Sequence, residues 1–307
     1  MRETPANYVF PWALVYEYPV PDEPKFCRIV EEQWTEDGLR AEPYASSLGC
    51  CPHANEPDHD KSLCPFGFWG LAHIVEQPIS PITKMTDEDP ARDVGRKLHS
   101  RTPLSLSVAA TQDASLNSKT LTQHIKDIGL IPKISILMPV ANDWTKVGQI
   151  LANPELVYIL CHGEYDKVQG TPYLGIGPRD DLELHKIFPD KLINLLRTMG
   201  TAAIWKETGP IIFINGCHTT NLSPGDIFDF VSPFAAIGAT GVIGTEISVD
   251  LNVAVEFATS LMTHLAQGHS VCEAIRFVRW SLVNKGNLLG LAYTPYCLAD
   301  LAVSFDR

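Results

Sequence analysis

Two short apolar runs constrain the fold of this 307-residue chain more than any other feature. They span residues 157–161 and 211–214, and reactive residues follow both: His162 after the first and Cys217 after the second. Runs of this length, rich in Val, Ile and Phe, are typical of strands that are buried on both faces of a parallel sheet. About fifty residues separate the runs, which is enough for the helical crossover that parallel neighbours require.

The same pattern continues along most of the chain, because apolar strand-like segments alternate with helix-like segments from residue 104 onward. This alternation predicts an α/β fold with a doubly wound, mostly parallel sheet flanked by helices on both faces. An earlier apolar piece, residues 8–16, also resembles a strand. The predicted strands of the core are 104–110, 134–138, 156–161, 211–215 and 241–244, and the predicted helices are 116–128, 143–151, 190–199, 251–266 and one that begins at Ser270.

The residues after the two apolar runs point to a cysteine nucleophile with a histidine base. Side chains that follow parallel strands lie at the carboxyl edge of the sheet, where His162 and Cys217 would meet. An imidazole can take the proton of a thiol, so the pair predicts a Cys–His dyad. The alternative is that His162 only caps a strand. His218 is less suitable as the base because a side chain next to Cys217 in sequence generally points elsewhere, and Glu164 and Asp166 are more typical of solvated loop residues than of a third catalytic member.

These blocks resemble those of the caspase-like cysteine peptidases, which include caspases, separases, legumains and gingipains. Within them the chain is most similar to the CHAT domain, a bacterial caspase-like domain often found beside tetratricopeptide repeats. Residues 10–16 (FPWALVY) resemble the Pro-Trp-x-x-x-Tyr opening of CHAT sequences, and residues 64–71 (CPFGFWGL) resemble a run ahead of many CHAT cores. The resemblance implies a caspase-like fold and a cysteine endopeptidase with His162 and Cys217 as catalytic residues. It also implies an oxyanion hole made by the backbone N–H groups of Gly163 and Cys217.

The resemblance further implies that the segment 241–250 lines the primary specificity (S1) pocket. In separases a Trp-x-x-x-Asp run occupies this place, and its Asp pairs with a P1 arginine. Here Glu246 stands at the Trp position and Asp250 matches the Asp. Carboxylates bind a guanidinium through charge-assisted hydrogen bonds, so we expect cleavage after Arg or Lys. The alternative for Asp250 is the N-cap of the helix that starts at Leu251.

Composition limits the class of partner. A formal net charge of −12 argues against direct nucleic-acid binding, because phosphates would be repelled. The sequence has neither an apolar run of the ~20 residues that a membrane span needs nor a signal-like start, so no membrane contact is expected. Eight cysteines without a signal segment favour a reducing compartment, which predicts a cytoplasmic protein.

By resemblance, residues 1–100 form an N-terminal accessory section of the CHAT region, and residues 101–307 form the caspase-like peptidase core. The expected partners are a protein substrate and an upstream sensor, repeat module or activating partner in a bacterial signalling or defence system. The alternative function is a non-catalytic or partner-gated caspase-like interaction scaffold.

A cysteine- and histidine-rich loop precedes the core. Cys50, Cys51, His53 and Cys64 could serve as ligands of a structural zinc ion, with His59 close by in sequence. Against this, adjacent cysteines rarely bind one metal and no C-x-x-C pair is present, so free thiols on an ordered loop are the alternative. The proposed dyad itself requires no cofactor.

Overall fold

In the part of the chain that the structure describes, a central sheet of eight strands organises the fold. The computed structural model describes residues 10–22, 25–29, 51–57, 59–77, 97–100, 103–111, 118–141, 146, 151, 154–176, 185–198, 205, 209–217 and 224–305. In chain order the strands are β1 (Lys25–Phe26), β2 (Ser62–Leu63), β3 (Lys97–Ser100), β4 (Leu104–Ala110), β5 (Ile134–Ala141), β6 (Leu156–Asp166), β7 (Thr171–Gly175), β8 (Lys186–Ile187), β9 (Ile211–Cys217), β10 (Gly241–Thr245), β11 (Tyr293–Tyr296) and β12 (Ala302–Phe305). The α-helices are α1 (Trp69–Ala72), α2 (Ser118–Gly129), α3 (Pro189–Thr198), α4 (Pro224–Ile237), α5 (Leu251–Gln267) and α6 (Val271–Val283).

The strand order of the sheet is β11-β10-β9-β6-β4-β5, and β7 and β8 extend it as a hairpin from β6. The pairs β10–β9, β9–β6, β6–β4 and β4–β5 are parallel, whereas β11 runs antiparallel at one edge. The prediction of a mostly parallel α/β sheet is therefore confirmed. Strands β6 and β9, which carry the two reactive blocks, lie beside each other at its centre.

The sheet is covered on both faces, as strand periodicity requires. Along β6, Leu156, Tyr158 and Leu160 pack into a core with helices α2, α5 and α6. The intervening residues Val157 and Ile159 pack into a second core with α3 and α4. Each fully buried aliphatic side chain of this kind contributes roughly 1.5–3 kcal/mol, so the central strands are held from both sides.

Most of the predicted core elements appear within a few residues of their expected bounds. The helix predicted from Ser270 begins as expected, because Ser270 is the N-cap of α6 and forms a capping box with Glu273. Most of the predicted helix 143–151 lies outside the described residues. No helix is predicted over residues 224–237, where the structure has α4 with Pro233 inside it.

The strand predicted over residues 8–16 is wrong for the part that the structure describes. Trp12–Leu14 forms a short 3-10 helix, and only an isolated bridge joins Tyr16 to Phe68. Pro11 precedes the 3-10 helix and has no N–H to offer a strand ladder. The Trp12 ring instead stacks on Trp69, with ring centroids 5.6 Å apart.

The N-terminal residues form a third core that packs on α6. Phe66 meets Trp280 edge to face, with ring centroids 5.3 Å apart, and the Trp280 indole N–H donates to the Leu71 carbonyl at 3.1 Å. The guanidinium of Arg279 donates to the Gly70 carbonyl at 3.0 Å. Among the described residues, every helix is too short or too polar to cross a lipid bilayer.

A buried histidine couples the stability of the fold to pH. His124 of α2 lies against the Tyr158 hydroxyl at 3.0 Å and the Thr259 hydroxyl at 3.3 Å. Burial lowers the pKa of His124 to about 4, although Asp127 opposes the shift. The unfolded chain therefore binds this proton near pH 6.5, whereas the folded chain does not bind it until about pH 4.

We expect the wild type to lose about 3 kcal/mol of unfolding free energy through this one group as pH falls from 6.5 to 4. His124→Gln should be less stable at pH 7 but should lose less stability over that interval, because Gln does not titrate. Urea unfolding at a series of pH values measures, for each protein, the slope of the unfolding free energy against pH. His73→Gln, at an exposed position, should keep the wild-type slope, and equal slopes for all three proteins would contradict the prediction.

Candidate active site

The two predicted catalytic residues lie side by side at the carboxyl edge of the sheet. The parallel register of β6 and β9 pairs the Cα atom of His162 with that of Cys217. Neighbouring strands are about 4.8 Å apart in the direction of the hydrogen bonds, so the register brings residues separated by a long crossover into adjacent positions. His218 lies outside the described residues.

His162 sits where β6 changes its partner strand. Up to Leu160, β6 pairs with β4, and from His162 to Asp166 it pairs with the antiparallel strand β7. His162 itself is in register with Cys217 on one side and Gly175 on the other. The residue thus lies at the carboxyl edge of the sheet, where α/β proteins commonly bind ligands. The histidine is 9% exposed, so its ring is largely shielded from bulk water.

A buried polar network holds the end of the strand that carries Cys217. The Asn215 side chain donates to the Tyr158 hydroxyl at 3.1 Å and to the Ala254 carbonyl at 2.8 Å, and it accepts from the Tyr293 hydroxyl at 2.8 Å. These bonds tie β9 to β6, α5 and β11 two residues before Cys217. No role is predicted for Asn215 from the sequence, although its position at the end of an otherwise apolar strand is a signal for a satisfied buried amide.

We expect Asn215→Leu to destabilise the fold by about 2–4 kcal/mol, because it removes three hydrogen bonds from two buried hydroxyl groups and a buried carbonyl. Tyr293→Phe is the matched control, since it removes one hydrogen bond and keeps the ring stacked on Phe257. It should cost only about 1 kcal/mol. Urea unfolding gives both values. The rate of alkylation of Cys217, followed by mass spectrometry, should change more in Asn215→Leu, and equal effects of the two variants would argue against a role for the network.

Glu246 is a buried carboxylate rather than a surface one. It is 2% exposed, and its Oε1 accepts from the Thr294 hydroxyl at 2.6 Å. Burial raises the pKa of Glu246, while the Thr294 hydrogen bond and the charge of Arg279 oppose the shift. Arg279 is itself buried, and desolvation lowers its pKa to about 10, so it stays charged at neutral pH. The region predicted to line the S1 pocket therefore contains a desolvated acidic group with a buried cation near it.

Asp250 caps the helix that follows. Its Oδ1 accepts from the Asn252 N–H at 2.9 Å, and its backbone is extended, as an N-cap requires. The capping interpretation of Asp250 is thus what the structure shows. The side chain is exposed, and its role in an S1 pocket stays a prediction.

The carboxylates that follow His162 belong to the β6–β7 hairpin. Glu164 accepts from the Tyr173 hydroxyl at 2.5 Å. Asp166 accepts from the N–H groups of Val168 and Gln169, and these bonds, together with Lys186, lower the pKa of Asp166. Both residues lie within β6 and are half-buried, so the expectation that they are solvated loop residues is wrong. Their hydrogen bonds are made within the hairpin.

The predicted zinc loop is only partly assembled as expected. Cys51 and Cys64 come together, but His53 bonds Glu56 at 2.8 Å and Cys50 lies outside the described residues. The other members of the cluster are His59, which is close in sequence, and Cys27, which sequence analysis missed. Cys27 lies so far upstream of the loop that no local spacing pattern includes it.

The family follows from a match that spans most of the chain. Residues 84–295 match the model of the CHAT domain. The chain belongs to the CHAT domain family. The predicted membership in the CHAT family is confirmed by this match. A probable protease of Vitiosangium sp. is 29% identical over 96% of this chain, and the chain spans 38% of the length of that relative.

The solved structures to which the chain shows some similarity include a separase complex and a caspase. The separase–securin complex of Saccharomyces cerevisiae has a TM-score of 0.42 at 15% identity, over 68% of this chain and 13% of that chain. The initiator caspase Dronc of Drosophila has a TM-score of 0.37 at 12% identity, over 74% of this chain and 92% of that chain.

Proposed function

We propose that this CHAT domain is a cysteine endopeptidase that uses a dyad of His162 and Cys217. The observation that carries the proposal is the register of β6 and β9, in which the Cα atoms of these two residues are partners. In a parallel pair, residues in register project to the same face of the sheet, so an imidazole and a thiol would share one side of the carboxyl edge.

In the proposed mechanism, His162 takes the proton of the Cys217 thiol, and the thiolate attacks the carbonyl carbon of the scissile peptide bond. The oxyanion that forms is held by the backbone N–H groups of Gly163 and Cys217. The protonated imidazole then donates its proton to the leaving amine, and the C–N bond breaks to leave a thioester. His162 next takes a proton from water, which attacks the thioester and releases the carboxylic acid and the thiol.

We expect Cys217→Ala to lower kcat/KM for a peptide substrate by at least about 1,000-fold, because the nucleophile is lost. His162→Ala should cause a similar loss, and the double variant should be no worse than either single one, since the two groups act as a unit. Cleavage of a mixed-P1 peptide library measures all three, with thermal unfolding as the control for folding. Undiminished cleavage by Cys217→Ala would exclude the dyad, and wild-type protein that cleaves nothing, even with candidate partners added, would favour a non-catalytic scaffold.

The proposed substrate is a protein cleaved after Arg or Lys. Support comes from the buried carboxylate of Glu246, from the carboxylate of Asp250 four residues later, and from the net charge of −12, which favours basic ligands. A P1 guanidinium would pair with a desolvated carboxylate more strongly than with a solvated one, because the surrounding dielectric is low.

Two isosteric variants separate the charge of each carboxylate from its structural role. Asp250→Asn removes the charge but keeps the helix cap, because Asn caps as well as Asp does. Glu246→Gln likewise keeps an oxygen for Thr294. If one of these carboxylates contacts the P1 side chain, its variant should show a loss of kcat/KM for Arg substrates. We expect this loss to be at least about 10-fold relative to substrates with an apolar P1 residue. Equal losses for all P1 residues, or no loss in either variant, would count against an acidic S1 pocket.

We further propose that the domain works with a sensor, repeat module or activating partner in a bacterial signalling or defence system. It is supported by the length of the curated relative, of which this chain spans 38%. Such a partner would act by raising the fraction of molecules whose site is catalytically competent. Its addition should therefore raise kcat/KM of the wild type but should not restore the activity of Cys217→Ala.

A further inference from the structure

We infer that Cys27, Cys51, His59 and Cys64 form a structural zinc site in the N-terminal section. Their ligand atoms, three Sγ atoms and one ring nitrogen, all lie within 4.8 Å of one another. Three thiolates and one imidazole constitute a ligand set that proteins use for closed, tetrahedral structural zinc sites. The site is separate from His162 and Cys217, and the inference does not depend on the proposed peptidase activity.

The spacing of the sulfur atoms matches a coordination tetrahedron. The Sγ atoms of Cys27 and Cys51 are 3.8 Å apart. Zinc–sulfur bonds of about 2.3 Å at the tetrahedral angle put two ligand sulfurs about 3.8 Å apart. A disulfide would require an S–S distance of about 2.05 Å. The two thiols are therefore not joined by a disulfide, and their spacing is the one that a shared zinc ion requires.

The histidine supplies an independent observation. The Nε2 atom of His59 is buried, and no hydrogen-bond partner for it occurs in the part of the chain that the structure describes. Leaving a buried polar atom without a partner costs about 1–3 kcal/mol, so native structures normally satisfy it. A cation at the centre of the cluster would accept the lone pair of this nitrogen and remove that cost.

Two of the cysteines have the backbone hydrogen bonds that a thiolate ligand needs. The backbone N–H of His53 bonds the sulfur of Cys51, and the backbone N–H of Phe66 bonds the sulfur of Cys64. In both cases the donor lies two residues after the cysteine, with a proline between them. Backbone donors of this kind orient a ligating sulfur and stabilise its negative charge.

A bound metal would also stabilise the N-terminal section. Cys27 follows β1, while His59 and Cys64 flank β2, and each of these strands has only two residues. A pair of such short strands is not stable by itself, and small sections with a limited core are commonly held by a metal or by disulfides. The three cysteines belong to the same apolar cluster as Phe66 and Trp280, so a metal there would hold together the section that packs on α6.

The test is the metal content of the whole chain, purified after growth with zinc and measured by mass spectrometry of the metal. We expect about one zinc per wild-type chain, and well under half of that in His59→Ala. His53→Ala is the matched control, because that histidine lies on the same loop but bonds Glu56, and it should keep the wild-type content. His59→Cys should restore binding, since a fourth thiolate completes a site made of cysteines alone.

Cobalt gives a readout that does not depend on recovery of zinc. Addition of Co²⁺ to the metal-free wild type should produce the thiolate-to-metal charge-transfer absorption in the near ultraviolet, and Cys64→Ser should weaken it. Removal of zinc with a chelator should lower Tm, because the metal binds the folded state only. Full zinc content in His59→Ala, or a metal-free wild type that binds neither zinc nor cobalt while its thiols react freely, would overturn the inference.

Discussion

The parallel pairing of β6 with β9 is the constraint on which the rest of the structure depends. Both strands are buried on both faces, so their backbone groups must be satisfied by each other and by β4 and β10. A slip of one residue would move every apolar side chain of a strand to the opposite core. The packing that fixes this register also fixes His162 beside Cys217, and the two reactive positions are therefore set by the whole sheet rather than by local loops.

Hydrogen bonds between buried polar groups hold the carboxyl edge of the sheet in place. The Asn215 amide uses the hydroxyls of Tyr158 and Tyr293 and a carbonyl of α5, so four elements meet at one side chain. Further along the same edge, Arg279 links the N-terminal section to β11 through carbonyl groups and lies near the charge of Glu246. Buried polar networks of this kind add little net stability relative to their number of hydrogen bonds. Removal of one member is costly, however, because it leaves the other buried polar groups without partners, and this favours a single arrangement of the site.

The N-terminal section is connected to this arrangement through α6. Its apolar cluster ends on Trp280, and the neighbouring Arg279 is near Glu246 in the segment that would line the S1 pocket. A metal that orders Cys27, Cys51, His59 and Cys64 would thus support the helix behind the proposed pocket without contacting it. The accessory section and the core are consequently linked by packing and buried hydrogen bonds across α6.

The sequence by itself determined the α/β class, the strands that carry His162 and Cys217, and the family. The class and the strands were readable because continuous apolar runs and strand–helix alternation are local patterns. The family was indicated by the resemblance of the two reactive blocks and of residues 10–16 and 64–71 to CHAT sequences. No helix was predicted over residues 224–237, which form α4, and the apolar character of residues 8–16 suggested a strand where the described part has a short 3-10 helix after Pro11. Only the tertiary structure decided that Glu246 is desolvated, that Asp250 caps a helix, and that Cys27 and His59 rather than His53 join Cys51 and Cys64. Burial and ligand geometry arise from contacts between segments far apart in the chain, and no local pattern of residues encodes those contacts.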